Sequence, residues 1–280
     1  MKLRKLLMLF PAVLALSACG KTQPESKEPE TETKSVTDSA VMAENFKKIG
    51  EDMAYIAASK TKPTKSLQPM SEDDKKIELV MPSVMTYLVG KLYENEGFDC
   101  IDKVVKFSEV FDLKFGGGPQ VTVMDLSLSL MVNVDSDNNK IKFNGFQDSV
   151  QGESPNQMII QSFIYIEIDY NFESKALGDF KMWAKGGNTQ PGGETFYPSF
   201  SYSEYINGVA KKLDMNTKDE EYEAREAEIT AVKEAFGEKT KTQTVADATT
   251  ARKYGEGYIA TQNFVNEVVG QELDTEFHNK

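Results

Sequence analysis

Histidine decides most of the chemistry open to this chain. There is one, His278, close to the C-terminus. Serine triads with a histidine base, Cys-His hydrolases and HExxH metal sites need an imidazole on ordered structure, and chain ends usually fray. Those classes are set aside. Cysteine is nearly as scarce, with only Cys19 and Cys100. Flanked by Phe98 and Ile101, Cys100 reads as a small buried hydrophobe. Carboxylates are plentiful at 44. Glycoside hydrolysis needs only a pair about 5 to 10 Å apart in a cleft, and spacing along the chain cannot select that pair. Asp135, Asp137 and Asn139 begin like a calcium loop, but Lys140 and Phe146 stand where it needs glycine and a bidentate glutamate, so the stretch reads as a turn. The acidic run Asp219 to Glu228 reads as a solvated helix face. No metal, cofactor or catalytic residue is expected, and the chain is read as a non-enzyme.

The remaining candidates are aromatic. Phe180, Trp183, Phe196, Tyr197, Phe200, Tyr202 and Tyr205 surround the glycine-rich stretch 186–193, with Trp183 and Tyr197 read on the opposite phase from Met182, Phe196 and Phe200. Trp183, Tyr197, Tyr202 and Tyr205 form the candidate ligand-binding set. Such rings can stack on sugars or form a protein-binding patch, and can equally be covered by C-terminal helices as a second core layer.

Two stretches resemble known families. Ser59-Lys60-Thr61-Lys62, Ser136-Asp137-Asn138 and Lys239-Thr240-Lys241 follow the motif order of penicillin-binding proteins and serine β-lactamases. The nucleophile there opens a buried helix, whereas Ser59 follows a helix and precedes Pro63, and Lys241 replaces a glycine. The second match is more specific. Lys2, Arg4 and Lys5 precede an apolar run, Leu6 to Leu16, broken by Pro11. Eleven residues fall short of the roughly 20 that span a bilayer, so residues 1–18 read as an export signal. Leu16-Ser17-Ala18-Cys19 resembles the lipobox of bacterial lipoproteins. That resemblance implies cleavage before Cys19, a diacylglyceryl group on its thiol and an acyl chain, such as palmitate, on the new N-terminus. Two or more chains anchor stably where one is marginal. Gly20 implies outer-membrane sorting in a two-membrane host; otherwise the protein sits on the outer face of the cell membrane. Acylation of Cys19 leaves Cys100 without an intrachain disulfide partner.

Removing Lys2, Arg4 and Lys5 takes the net charge from −12 to −15. A surface this acidic repels phosphate backbones, so no nucleic-acid partner is expected. The membrane, through Cys19, and an unknown ligand or envelope partner remain.

Stepping outward from these residues, 19–37 is rich in Thr, Glu, Lys, Pro and Ser and reads as a disordered tether. Residues 38–280 then form a single globular domain. Apolar residues at three- and four-residue spacing predict a helix from Asp38 to Ala58 with Thr37 or Asp38 as cap. A second begins at Ser71 and is kinked or split at Pro82. From Val105 to Ser203 period-two alternation predicts six consecutive strands: Val105 to Phe115, Val121 to Asp135, Lys140 to Phe146, Met158 to Phe172, Leu177 to Lys185 and Glu194 to Ser203. Connections this short exclude parallel neighbours. Ser203 to Leu213, Lys218 to Phe236 and Thr244 to Leu273 read as helices, the last opened by Thr244 and Asp247. The fold class is α+β, a long-stranded antiparallel meander whose apolar face is covered by the helices in 38–93 and 204–273.

The functional expectation is a membrane-anchored extracytoplasmic lipoprotein with a non-enzymatic binding role. The alternatives are a histidine-independent hydrolase of envelope polymer and a solute-binding subunit of a transporter.

Overall fold

Sustained period-two alternation produces the long strands that dominate this molecule. The computed structural model describes residues 39–58, 79–94, 100–114, 121–151, 157–189, 196–213, 218–254, 256, 264 and 277–278, all within the unit Lys34–Lys280. Six strands follow one another without an intervening helix: β1 (Val105–Lys114), β2 (Val121–Asp135), β3 (Lys140–Gln151), β4 (Met158–Asn171), β5 (Ala176–Thr189) and β6 (Phe196–Ile206). Each pairs antiparallel with the next. The chain is an α+β protein built on an antiparallel meander. Three short strands complete the sheet: β7 (Val209–Lys212) on β6, and β8 (Thr244–Val245) and β9 (Phe277–His278) on β1, with β8 running parallel to it.

The turns carry their own chemistry. Between β2 and β3, Asp135 accepts hydrogen bonds from the Asn138 backbone N (3.1 Å) and Nδ2 (2.8 Å), and Asn139 takes φ 54°. The Asp135 to Asn139 stretch is a hairpin tip, closed by asparagine in the left-handed region. Ser203 to Leu213 is corrected from helix to strand, turn and strand. Asn207 and Gly208 both have positive φ, 51° and 79°, and join β6 to β7 through the Ile206–Val209 pair. That is the backbone a two-residue hairpin demands, and Asn-Gly is its strongest sequence signal.

Helices cover both faces. On one face α1 (Ser39–Ala58) and α2 (Val80–Glu94) join Ile164, Ile166 and Ile168 of β4 in a core with Phe46, Leu88 and Phe143. Pro82 falls in the first turn of α2, where a missing N–H breaks no helical bond, and residues 71–78 of the expected helix lie outside the described residues. The helices cross with backbones almost touching: a Cβ on Gly50 would stand 2.5 Å from Tyr87 Cβ, and one on Gly90 2.6 Å from Lys47 N. Residues 248–254 share this face. Tyr254 stacks on Phe107 at 4.7 Å. Asp247 caps that segment by accepting from Thr250 N at 2.8 Å, while Thr244 belongs to β8. The opposite face is covered by α3 (Glu220–Thr240), capped by Asp219, whose carboxylate accepts from Tyr222 N. Phe163 and Tyr165 of β4 lie in this second core with Tyr222, Ile229 and Phe236. Of the helical segments expected on one face, α3 therefore lies on the other.

Buried phenols set an alkaline limit. The Tyr170 hydroxyl donates to Asn45 Oδ1 at 3.1 Å, and burial pushes its pKa up to about 12. Burial, reinforced by donation to Glu167 and Glu204, also raises Tyr165 and Tyr202. Folded values above the ordinary one mean that stability is intact below about pH 10 and is lost as pH rises through the folded values, because the unfolded chain ionises first. The expected result is a falling urea midpoint above about pH 10, with these phenols ionising late in an absorbance titration. Ionisation of all eleven tyrosines together in the native protein would contradict it.

Candidate functional site

Strand register assembles a site from residues far apart in the chain. Lys106 of β1, Ser129 of β2, Phe146 of β3 and Phe163 of β4 are successive cross-strand partners, so they form one row across the α3 face. Ser127 and Asp148 are partners two residues along. From α3, Lys233, Phe236, Gly237 and Thr240 meet these strands, a spacing of three, four and seven that places them on one side of the helix. Together with Gln243 they enclose a groove of about 350 Å³.

Its floor is apolar. Phe163 and Phe236 are buried with ring centroids 5.4 Å apart, and Phe146, half-buried, packs against the same core. Its wall is polar: Ser129 Oγ lies 3.4 Å from Gln243 Oε1. Lys106, Lys233 and Asp148 supply the charge, and none of the three is ion-paired with a described residue. An apolar floor with a few convergent polar groups is the usual makeup of a small-molecule site.

A larger hollow of about 760 Å³ runs along α1, but all of its charged side chains except Glu51 are already paired. Lys47 pairs with Glu94, Glu44 with Lys175 at 2.8 Å, and Lys48 with Asp52 at 3.0 Å. Hydrogen bonding to Lys175 holds the Glu44 carboxyl below its ordinary value, the mark of a satisfied surface pair. It leaves less charge for a ligand to satisfy than the α3 groove does.

The candidate aromatics do not form one exposed patch. Trp183 and Tyr202 are cross-strand partners buried beneath α3, with Tyr165 5.2 Å from Trp183 and the Arg225 guanidinium 4.6 Å from the Tyr202 ring centroid. Phe200 shares their face, so its assignment to the opposite phase is corrected: phase in one strand transfers to the next only through register, and Phe200 pairs with Lys185. Tyr205 lies on the other face, stacked on Phe180 at 5.3 Å. The backbone of Tyr197 pairs with Asn188. The covered second layer is therefore the arrangement found for Trp183 and Tyr202.

Glu167 and Glu204 both pair with Lys181 in the register of β4, β5 and β6, and each accepts a tyrosine hydroxyl at 2.5 Å. Among the described residues no group of three or more His, Cys, Asp and Glu side chains could hold a metal ion. Cys100 is fully buried, its Sγ 4.0 Å from the Tyr93 hydroxyl. The backbone of His278 pairs with Asp112. Leu16, Ser17, Ala18, Cys19, the tether and Ser59 to Lys62 lie outside the described residues.

No family model, no curated protein and no solved structure matches this chain. The groove went unmarked in the sequence because Ser127 and Ser129 alternate with Leu128 as any solvent-facing phase would. A single signal was present: Lys233, Phe236 and Thr240 mix charge, apolar and hydroxyl on one side of a helix.

Proposed function

We propose that this chain is a lipid-anchored extracytoplasmic binding protein, held on a membrane through Cys19 and the 19–37 tether, with the α3 groove as its ligand site and no catalytic role. The observation that carries the anchor is Leu16-Ser17-Ala18-Cys19 after a basic start and an apolar run too short to span. The binding role is supported by a groove that combines an aromatic floor with unmatched charge. No described helix is long and apolar enough to cross a membrane.

The anchor is tested by Cys19→Ala in the full chain expressed in a bacterium. Wild type takes up radiolabelled palmitate and sediments with membranes, and the variant loses the label and moves to the soluble fraction. A variant that stays labelled would refute acylation at Cys19.

A further inference from the structure

We infer that the groove takes a small, singly charged organic acid, its carboxylate met by Lys106 and Lys233 and its apolar body laid on Phe146, Phe163 and Phe236. This rests on the groove being the ligand site.

The charge pattern points to an anion. The chain carries a net −12, and several lysines elsewhere are matched by carboxylates, Lys175 with Glu44 and Lys185 with Glu226 at 3.0 Å among them. Lys106 and Lys233 come from opposite walls, sheet and helix, and line one recess without a described acidic partner. Like charges gathered at a partly desolvated site repel, and an anion between them relieves that repulsion. Asp148 lines the same recess beside Ser127, its cross-strand partner. Two lysines and one aspartate leave a single net positive charge, which suits a monoanion and leaves a phosphomonoester dianion overcharged.

The dimensions select the body. A volume of about 350 Å³ lies near the lower end of ligand sites, which run from about 300 to 1,000 Å³. It suits one ring or a short chain rather than a lipid with two acyl chains. Three phenylalanines offer apolar and edge-to-face contact for such a group. Ser129 stands beside Lys106 in its row and donates to Gln243, while Ser127, two residues along, accepts from Ser108 at 3.3 Å and keeps its own O–H for the carboxylate.

The test titrates the full chain with phenylacetate, hexanoate and their neutral amides by ligand-observed NMR. Both acids should bind and their amides at least about tenfold more weakly, while Lys106→Gln and Lys233→Gln each weaken the acids about tenfold, as expected for removing a charged hydrogen-bond donor. A Cβ on Gly237 meets nothing within 4 Å, so Gly237→Phe can fill the groove without disturbing the helix, and it should abolish binding of every probe. Unchanged Trp183 emission and a urea midpoint no lower than that of the wild type in each variant show that the fold is intact. If the amides bind as well as the acids, or if the glutamine variants bind normally, the anion assignment is overturned and the groove reading survives. Acid binding that persists in Gly237→Phe overturns the location, and failure of all four probes overturns both inferences.

Discussion

Gly50→Ala lowers the stability of the domain by about 2 to 3 kcal/mol, the cost of forcing extra volume into a packed core. The sign is the unusual part, because alanine is normally favoured over glycine in a helix by about 1 kcal/mol. Here the new methyl meets Tyr87 Cβ at 2.5 Å, N at 2.7 Å and Cα at 2.8 Å. Two of those atoms are backbone and cannot rotate away, so α2 must retreat. Retreat also stretches the 2.8 Å hydrogen bond from Ser83 Oγ to the Gly50 carbonyl and loosens Phe46 and Leu88 beneath the crossing. Against a typical total stability of about 5 to 15 kcal/mol this is a large fraction. Urea unfolding followed by the emission of Trp183, the only tryptophan, measures it. Gly237→Ala is the control: it sits in a helix with open space around its Cβ and should stabilise by about 1 kcal/mol. Equal gains from both substitutions would show that α1 and α2 do not cross at Gly50.

Ile229→Asp should detach α3 from the sheet. This helix reaches its core through Tyr222, Ile229 and Phe236, seven residues apart, and otherwise presents charge. Ile229 is fully buried, and an unpaired carboxylate there costs several kcal/mol, about as much as a helix with one narrow apolar stripe can hold against. Release is cheaper than burial. Trp183, 3% exposed beneath α3, should then shift its emission to the red, and amide exchange should accelerate across 220–240. The opposite core, with Phe46, Phe143 and Leu88, shares no side chain with this one and should stay protected. Probe binding should disappear, since Lys233 and Phe236 leave with the helix. Acceleration in both cores together would mean that they are one cooperative unit.

The strands and α3 were legible because their determinants are local. Val121 to Asp135 keeps one apolar phase from Met124 to Val134, with Met131 the break in the polar phase beyond Asp125, and forms β2 over those same residues. Asp219 and the acids behind it mark the start of α3, where a carboxylate satisfies the first free N–H groups. The misread stretch had a local signal as well. Asn207-Gly208 is that signal, while the apolar spacing of Tyr205, Ile206, Val209 and Ala210 suits a helix as readily as two short strands. Burial was harder to read: Tyr202 sits between Ser201 and Ser203, and the cover of Trp183 and Tyr202, α3, lies more than fifteen residues further along the chain.

By itself the sequence determined the α+β class, the antiparallel order and the ends of most strands, because side-chain alternation and turn chemistry act over a few residues. It also supplies the motif on which the proposed anchor rests. Only the tertiary structure decided which face each helix covers and that Lys106, Ser129, Phe146 and Lys233 share one groove. Those relations depend on cross-strand register and on the placement of a helix that begins 69 residues beyond the third strand (Gln151 to Glu220), and no local preference encodes either.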